Sequence, residues 1–265
     1  EQLNETASIN DVQQKTTLLV DLIDSFNSNL ESEIGIKGKI FRSYFSDKIT
    51  LDTSKTVDIG GKPVPVLKNG DADLNLDFTQ PDKFTALTGV TATIFVKSGE
   101  DFIRISTSVK KEDGSRAVGT ALDHAHPGYA RLLAGESYVG TAKLFGKPFM
   151  TEYEPVKGED GKVIGALYVG ADFSMQVKAI KDKIKAIKIG DTGYFFAINA
   201  KAGPDLGLAM IHPAKEGSSL LESKDADGRQ FVREMLENKT GIIRYNWVNQ
   251  ELGETAPREK VVAYA

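Results

Sequence analysis

The sequence predicts an α+β protein, in which a long N-terminal helix precedes two units built on antiparallel strands with flanking helices. Three observations predict it. Residues 1–34 contain no Gly or Pro and place Leu3, Val12, Leu19, Ile23, Phe26, Leu30 and Ile34 near helical spacing. From about residue 56 the chain consists of short alternating or apolar runs bounded by Gly and Pro. The order of strand pair, helix and further strands then occurs twice, on either side of a lysine-rich segment at 174–188.

Composition sets the outer limits. The 265 residues suffice for one large domain or two of ordinary size, and 40% apolar with 26% charged residues describes a folded chain. A net charge of -4 gives no broad basic surface for phosphate backbones, so nucleic acid is not an expected partner. The absence of Cys removes disulfides, thiolate nucleophiles and thiol-bound metals. No run approaches the roughly 18 apolar residues of a membrane helix, and residues 1–15 lack the regions of a signal peptide. Any membrane anchor is therefore expected outside this chain.

The first 34 residues read as one helix of roughly 50 Å at 1.5 Å per residue. That exceeds the needs of one compact unit, so a second chain or domain is expected over its apolar stripe; packing wholly on its own sheet is the alternative. TVDIGGKPVPVLK (56–68) reads as a hairpin around Gly60 and Gly61, and NGDADLNLDFTQPD (69–82) as a loop. TATIFVKSGEDFIRISTSV (91–109) gives two strands across Ser98 and Gly99, and Pro127 to Ala134 a short helix closed by Gly135. SYVGTAKLF, PFMTEYEPV and KVIGALYVG follow as strands, the last central because VIGALYV is apolar on both faces.

Residues 174–188 carry Ile180, Ile184 and Ile187 on one side with lysines around them and no aromatic anchor. This favours a solvated linker helix over a membrane-surface one. In the second unit GYFFAIN and LGLAMIHP read as a strand pair, DGRQFVREMLEN as a helix, and GIIRYNWVN and EKVVAYA as strands. A counterpart of KVIGALYVG does not follow before Ala265, so the natural protein is expected to continue by at least one strand. The expected domains are a stalk helix at 1–37, a first unit at 38–175, a linker helix at 176–190 and a second unit at 191–265.

No GxSxG, HExxH, P-loop or GxGxxG stands in the sequence, and catalysis finds no support. His124 and His126 form an HxH pair, a weak metal signal at a helix start, where capping or exposure is the favoured reading. No metal or cofactor is expected. Strict alternation in FIRISTSV puts Phe102, Arg104, Ser106 and Ser108 on one face and Ile103, Ile105, Thr107 and Val109 on the other. Polar residues recur at alternate positions in Thr141 and Lys143, and again in Thr151 and Tyr153. Either this is a solvated sheet face, or it lines a cavity for a small anion with Phe95 or Phe145 as walls. Spacing leaves both open.

The run from Ala92 to Ser174 resembles the membrane-distal half of a double Cache sensor of the type 3 plus type 2 fusion, and GDTGYFFAIN, AMIHP, DADGRQFV and GIIRYNWVN resemble its type 2 unit. The resemblance implies two PAS-like Cache units, each a curved antiparallel sheet with a ligand cavity. It implies the extracytoplasmic, ligand-binding part of a methyl-accepting chemotaxis protein on the periplasmic side of the bacterial inner membrane. Such a module is not an enzyme, and its receptor is a homodimer paired along the N-terminal helix. Similarity to sensors of organic acids implies that Arg104 holds a short carboxylate, with Ser106 and Thr107 beside it. Lys143 and Lys147 would lie across the cavity, Phe145 would form a wall and Tyr153 would close one side. Thr107 stands where citrate-binding relatives carry a basic residue, which favours a smaller acid. Tyr194, His212, Tyr245, Trp247 and Lys260 resemble a second, membrane-proximal pocket. The alternatives are the sensor of a histidine kinase or cyclase, and a docking module for a periplasmic binding protein.

Overall fold

The computed structural model describes residues 2–46, 48–250 and 253–265. The chain divides into two compact units, Asn27–Met175 and a second that joins the residues up to Phe26 to Gln176–Ala265. Helix α1 (Gln2–Arg42) contributes to both. It extends past Gly35 and Gly38, which the sequence pattern treats as its end. Gly38 is admitted because packing offsets its poor helix propensity: a Cβ there would collide with the Glu152 carboxylate, so only glycine lets the two approach.

In the unit 27–175, α1 buries Ile34 and Phe41. Strands β1 (Ile49–Ile59), β2 (Lys62–Asn69) and β3 (Ala72–Asp73) form a three-stranded sheet, turning at Gly60 and Gly61 as the sequence indicates. Helix α2 (Thr79–Thr88) occupies part of what reads as loop. Its sequence, TQPDKFTALT, lacks an apolar period, and only Pro81 and Phe84 are buried. Asp77 accepts the Thr79 N–H at 3.0 Å, and Gly89 ends the helix at φ 70°.

The site-bearing sheet comprises β4 (Thr91–Ser98), β5 (Asp101–Thr107), β6 (Tyr138–Leu144), β7 (Lys147–Lys157) and β8 (Val163–Asp172). All neighbours are antiparallel in the order β5-β4-β8-β7-β6. Strand β8 lies in the middle, as its apolar run requires. Helix α3 (Pro127–Leu133) covers one face through Tyr129 and Leu132, which join Phe95, Phe102, Tyr153 and Tyr168 in one core.

One irregularity changes which residues share that face. Ile94 pairs with Ser106, but Phe95 pairs with Arg104, so Ile105 is an extra residue in β5. A bulge reverses the alternation on one side of itself. Arg104 and Thr107 therefore share the face of Phe95 and Thr93, and Ser106 turns to the opposite face with Ile94. Strict alternation places Arg104 with Ser106 and is corrected by this bulge.

In the second unit α4 (Ser174–Ala186) buries Ile184. Val12, Leu19 and Ile23 of α1 pack on Ile184, Phe195 and Ile211. The strands are short: β9 (Lys188–Ile189) pairs with β10 (Gly193–Tyr194), and β11 (Ala197–Ile198) with β12 (Ala209–Ile211). Helix α5 (Phe231–Asn238) packs Phe231, Val232 and Met235 against the β13 (Gly241–Trp247) and β14 (Arg258–Tyr264) hairpin.

Candidate functional site

Arg104 is only 4% exposed, an unusual position for a guanidinium. Its Nη1 donates to the Thr120 hydroxyl at 2.8 Å, its Cζ lies 4.9 Å from the centroid of the Phe95 ring, and its Nε finds no protein partner. The stretch around Thr120 runs along the outer edge of β5. Arg104 N–H donates to Thr120 O at 2.9 Å, and Gly119 N–H donates to Arg104 O at 2.8 Å. This fixes the backbone that aims the arginine.

Register then builds a row across the whole sheet. Thr107 pairs with Thr93, Thr93 with Tyr168, Tyr168 with Tyr153, and Tyr153 with Tyr138. Directly paired side chains share a face and touch. The Tyr153 ring centroid lies 5.0 Å from that of Tyr168 and 6.3 Å from that of Tyr138. Tyr138 and Tyr168 each open a Tyr-Val-Gly triplet, and each hydroxyl lies over the glycine two residues on. A Cβ at Gly140 or Gly170 would collide with that oxygen. The triplet is thus the local rule that lays a tyrosine along its strand.

His126 closes the cluster from the start of α3, with its ring 5.2 Å from Tyr153 and 5.3 Å from Tyr138. Its Nδ1 accepts the Gly128 N–H at 3.0 Å, the capping role read from sequence. In the neutral ring the proton then sits on Nε2, and that atom is buried without a protein partner. The hydroxyls of Tyr153 and Tyr168 are buried and unpartnered too; Thr91, beside Tyr168, gives its own hydroxyl to the Gly170 carbonyl.

The electrostatics follow from burial. Burial disfavours the Arg104 charge, and the Tyr153 and Tyr168 oxygens partly offset this. It lowers the affinity of His126 for a proton, against the pull of Asp123 and with the push of Arg104. It raises Tyr153 to about 12, and Tyr168 higher still, so both remain protonated donors. Each buried polar group left unbonded costs about 1–3 kcal/mol. Four such groups, all of them donors, belong to side chains gathered around Tyr153.

Of the residues singled out in the sequence, Arg104 and Tyr153 lie in this cluster. Thr107 is in the same row but bonds Thr93 at 2.6 Å, and Phe145, half-buried in the β6–β7 turn, packs at the cluster's edge. Ser106, on the other face, donates to Asp77 O at 2.5 Å. Lys143 is exposed, and Lys147 is exposed and 3.7 Å from Asp172. Neither lysine joins the cluster. His126, Tyr168, Tyr138 and Thr120 do, and sequence reasoning missed them; the repeated Tyr-Val-Gly was the available signal for two of these. A separate polar groove of about 330 Å³ beside Arg42 and Ser137 contains the Arg42–Glu154 pair at 3.8 Å.

In the second unit His212 is buried, and its Nδ1 accepts the N–H groups of Ala214 and Lys215 at 3.0 Å each. Its Nε2 is 3.4 Å from the Tyr194 hydroxyl. Tyr245 stacks on Phe231 at 4.0 Å, with Trp247 5.5 Å from the same ring and the Lys215 ammonium 5.1 Å over Trp247. Lys260 is held by Glu254 at 2.9 Å. That pair, with the Asn249 N–H and Arg258, keeps the Glu254 carboxyl down at about 2. Lys260 is therefore already neutralised. Among the described residues no three His, Asp or Glu side chains converge on a metal position, and no helix is long and apolar enough to cross a membrane.

No curated protein matches the chain. Among solved structures, the sensory domain of the Campylobacter jejuni chemoreceptor Tlp3 is similar at 14% identity and TM-score 0.51, covering 99% of this chain and 92% of that one. A methyl-accepting chemotaxis protein X is similar at 12% identity and TM-score 0.48, over 98% and 92% of the two chains. The ligand-binding domain of the Pseudomonas aeruginosa PAO1 amino acid chemoreceptor PctC, solved with GABA, shows 12% identity and TM-score 0.47 over 96% and 97%. Residues 2–265 match the family described as the Cache 3/Cache 2 fusion domain, and the chain belongs to that family of sensor modules.

Proposed function

We propose that this chain is the periplasmic ligand-binding domain of a bacterial chemoreceptor, and that its Arg104 cluster holds a short organic carboxylate. The observation that carries this is a buried guanidinium with an unbonded Nε, facing buried and unbonded tyrosine hydroxyls. A carboxylate offers two oxygens to such donors and neutralises the charge. Nothing in the cluster pairs a nucleophile with a base, and its role is binding rather than catalysis.

Signalling requires the ligand to prefer one of two states. Strand β7 offers a route, because Tyr153 faces the cluster while its neighbour Glu152 packs on Gly38 of α1. Helix shifts of about 1–2 Å are a known form of such transmission. Along α1, Leu18, Leu22, Ile36 and Ile40 are all exposed and fall within about 40° of one another at 100° per residue. That stripe supports pairing with a second copy in a receptor anchored through segments outside this chain.

The test is a thermal-shift screen of organic acids on the parent and on Arg104→Ala. A ligand at 100 times its Kd stabilises by about 2.7 kcal/mol. A carboxylate that raises the parent's midpoint and leaves the variant's unchanged supports the reading; a panel with no shift in the parent opposes it.

A further inference from the structure

The side chains that face this cluster are donors, and their charge has one sign. The unpartnered atoms are Arg104 Nε, His126 Nε2, and the Tyr153 and Tyr168 hydroxyls. The charged and titratable groups felt at Arg104 are the two tyrosines, and those at Tyr153 are Arg104 and Tyr138. The acid nearest His126 is Asp123, which is exposed and bound to the Ala125 N–H at 2.9 Å. Glu152 and Glu154 alternate with Tyr153 and point to the other face of β7. Tyr138 also feels Glu31 of α1, which is exposed, whereas no carboxylate is among the groups acting on Arg104, Tyr153 or Tyr168.

A bound carboxylate is well served there, whereas an ammonium on the same ligand would be taken from water beside a fixed cation without a counter-charge. Burying an unpaired charge is among the largest penalties available to a binding site. Building against the competitor in this way is how a site discriminates molecules of equal size. Resting on the carboxylate reading above, we infer that the cluster selects short acids lacking an amino group, with the His126 Nε2–H as a ligand donor beside Arg104.

Matched pairs test this by titration calorimetry: lactate against alanine, succinate against aspartate, and butyrate against 4-aminobutyrate. In at least one pair the amine-free acid is expected to bind at least tenfold tighter, with that binding lost in Arg104→Ala. His126→Asn keeps an oxygen to accept the Gly128 N–H but removes the Nε2 donor. It is expected to melt with the parent and to bind the acid at least tenfold more weakly. Equal or tighter binding of the amino partner overturns the selectivity while the carboxylate reading stands. Unchanged affinity in a folded His126→Asn overturns the histidine's role. If no member of any pair binds, the carboxylate reading itself fails, and the selectivity with it.

Discussion

Tyr153 and Tyr168 bury hydroxyls that bond to nothing in the protein, a stability cost that a phenylalanine would not carry. Tyr153→Phe and Tyr168→Phe are expected to melt at or above the parent's temperature without ligand, yet to bind the carboxylate more weakly. Calorimetric melts and titrations of the same preparations check both halves. His126 gives a pH signature. Its folded form holds its proton less tightly than the unfolded chain does, so its contribution is present above the ordinary histidine range, near pH 6.5, and is lost as pH falls through it. Replacing it by Asn should flatten the melting temperature's dependence on pH between about 7 and 5. Alternation and resemblance singled out Arg104 and Tyr153, which the fold buries in one cluster, whereas His126 was concealed by its own cap. Capping accounts for Nδ1 and says nothing of Nε2.

At the scale of elements, the bulge at Ile105 decides which side chains share the face of Arg104. An inserted residue leaves composition and apolar pattern unchanged, so FIRISTSV reads as an unbroken strand and Ser106 is drawn to the wrong face. Lys143 and Lys147 illustrate a different limit: alternation identifies a face, but the exposed face of an outer strand has the same pattern as a cavity wall. On β7, burial and the Glu154 charge raise the Glu152 carboxyl to about 7, with Lys39 opposing. Its ordinary value is 4.5, so the folded state binds the extra proton and stability falls as pH rises from there toward 7. Glu152→Gln should therefore raise the melting temperature at pH 8 and leave it nearly unchanged near pH 4.5. A gain of equal size at both would contradict the burial of that carboxyl against Gly38.

At the scale of the whole molecule, the repeated element order and the long Gly-free start were enough to expect a helix followed by two β-rich units. Gly38 blurred the helix's end because its justification, the Glu152 side chain, lies far away in sequence. The stripe of Leu18, Leu22, Ile36 and Ile40 leads to a direct test in the membrane-anchored receptor. The chain contains no native Cys, so Leu22→Cys or Ile36→Cys introduces a lone thiol into this domain. Rapid oxidative cross-linking at these positions, against little at Leu19, which packs on Ile184, Phe195 and Ile211 instead, is expected of a helix-paired dimer; equal cross-linking at all three would argue against that face.

The central claim is that Arg104 anchors an anion. Its most direct test is the equilibrium titration of the best-stabilising acid into the parent and into Arg104→Ala, with both shown to be folded by their melts. Loss of a charge-assisted pair should weaken binding by about tenfold to a hundredfold. The same Kd in both proteins would mean that the buried arginine serves the fold, and that the sensor's ligand is held elsewhere.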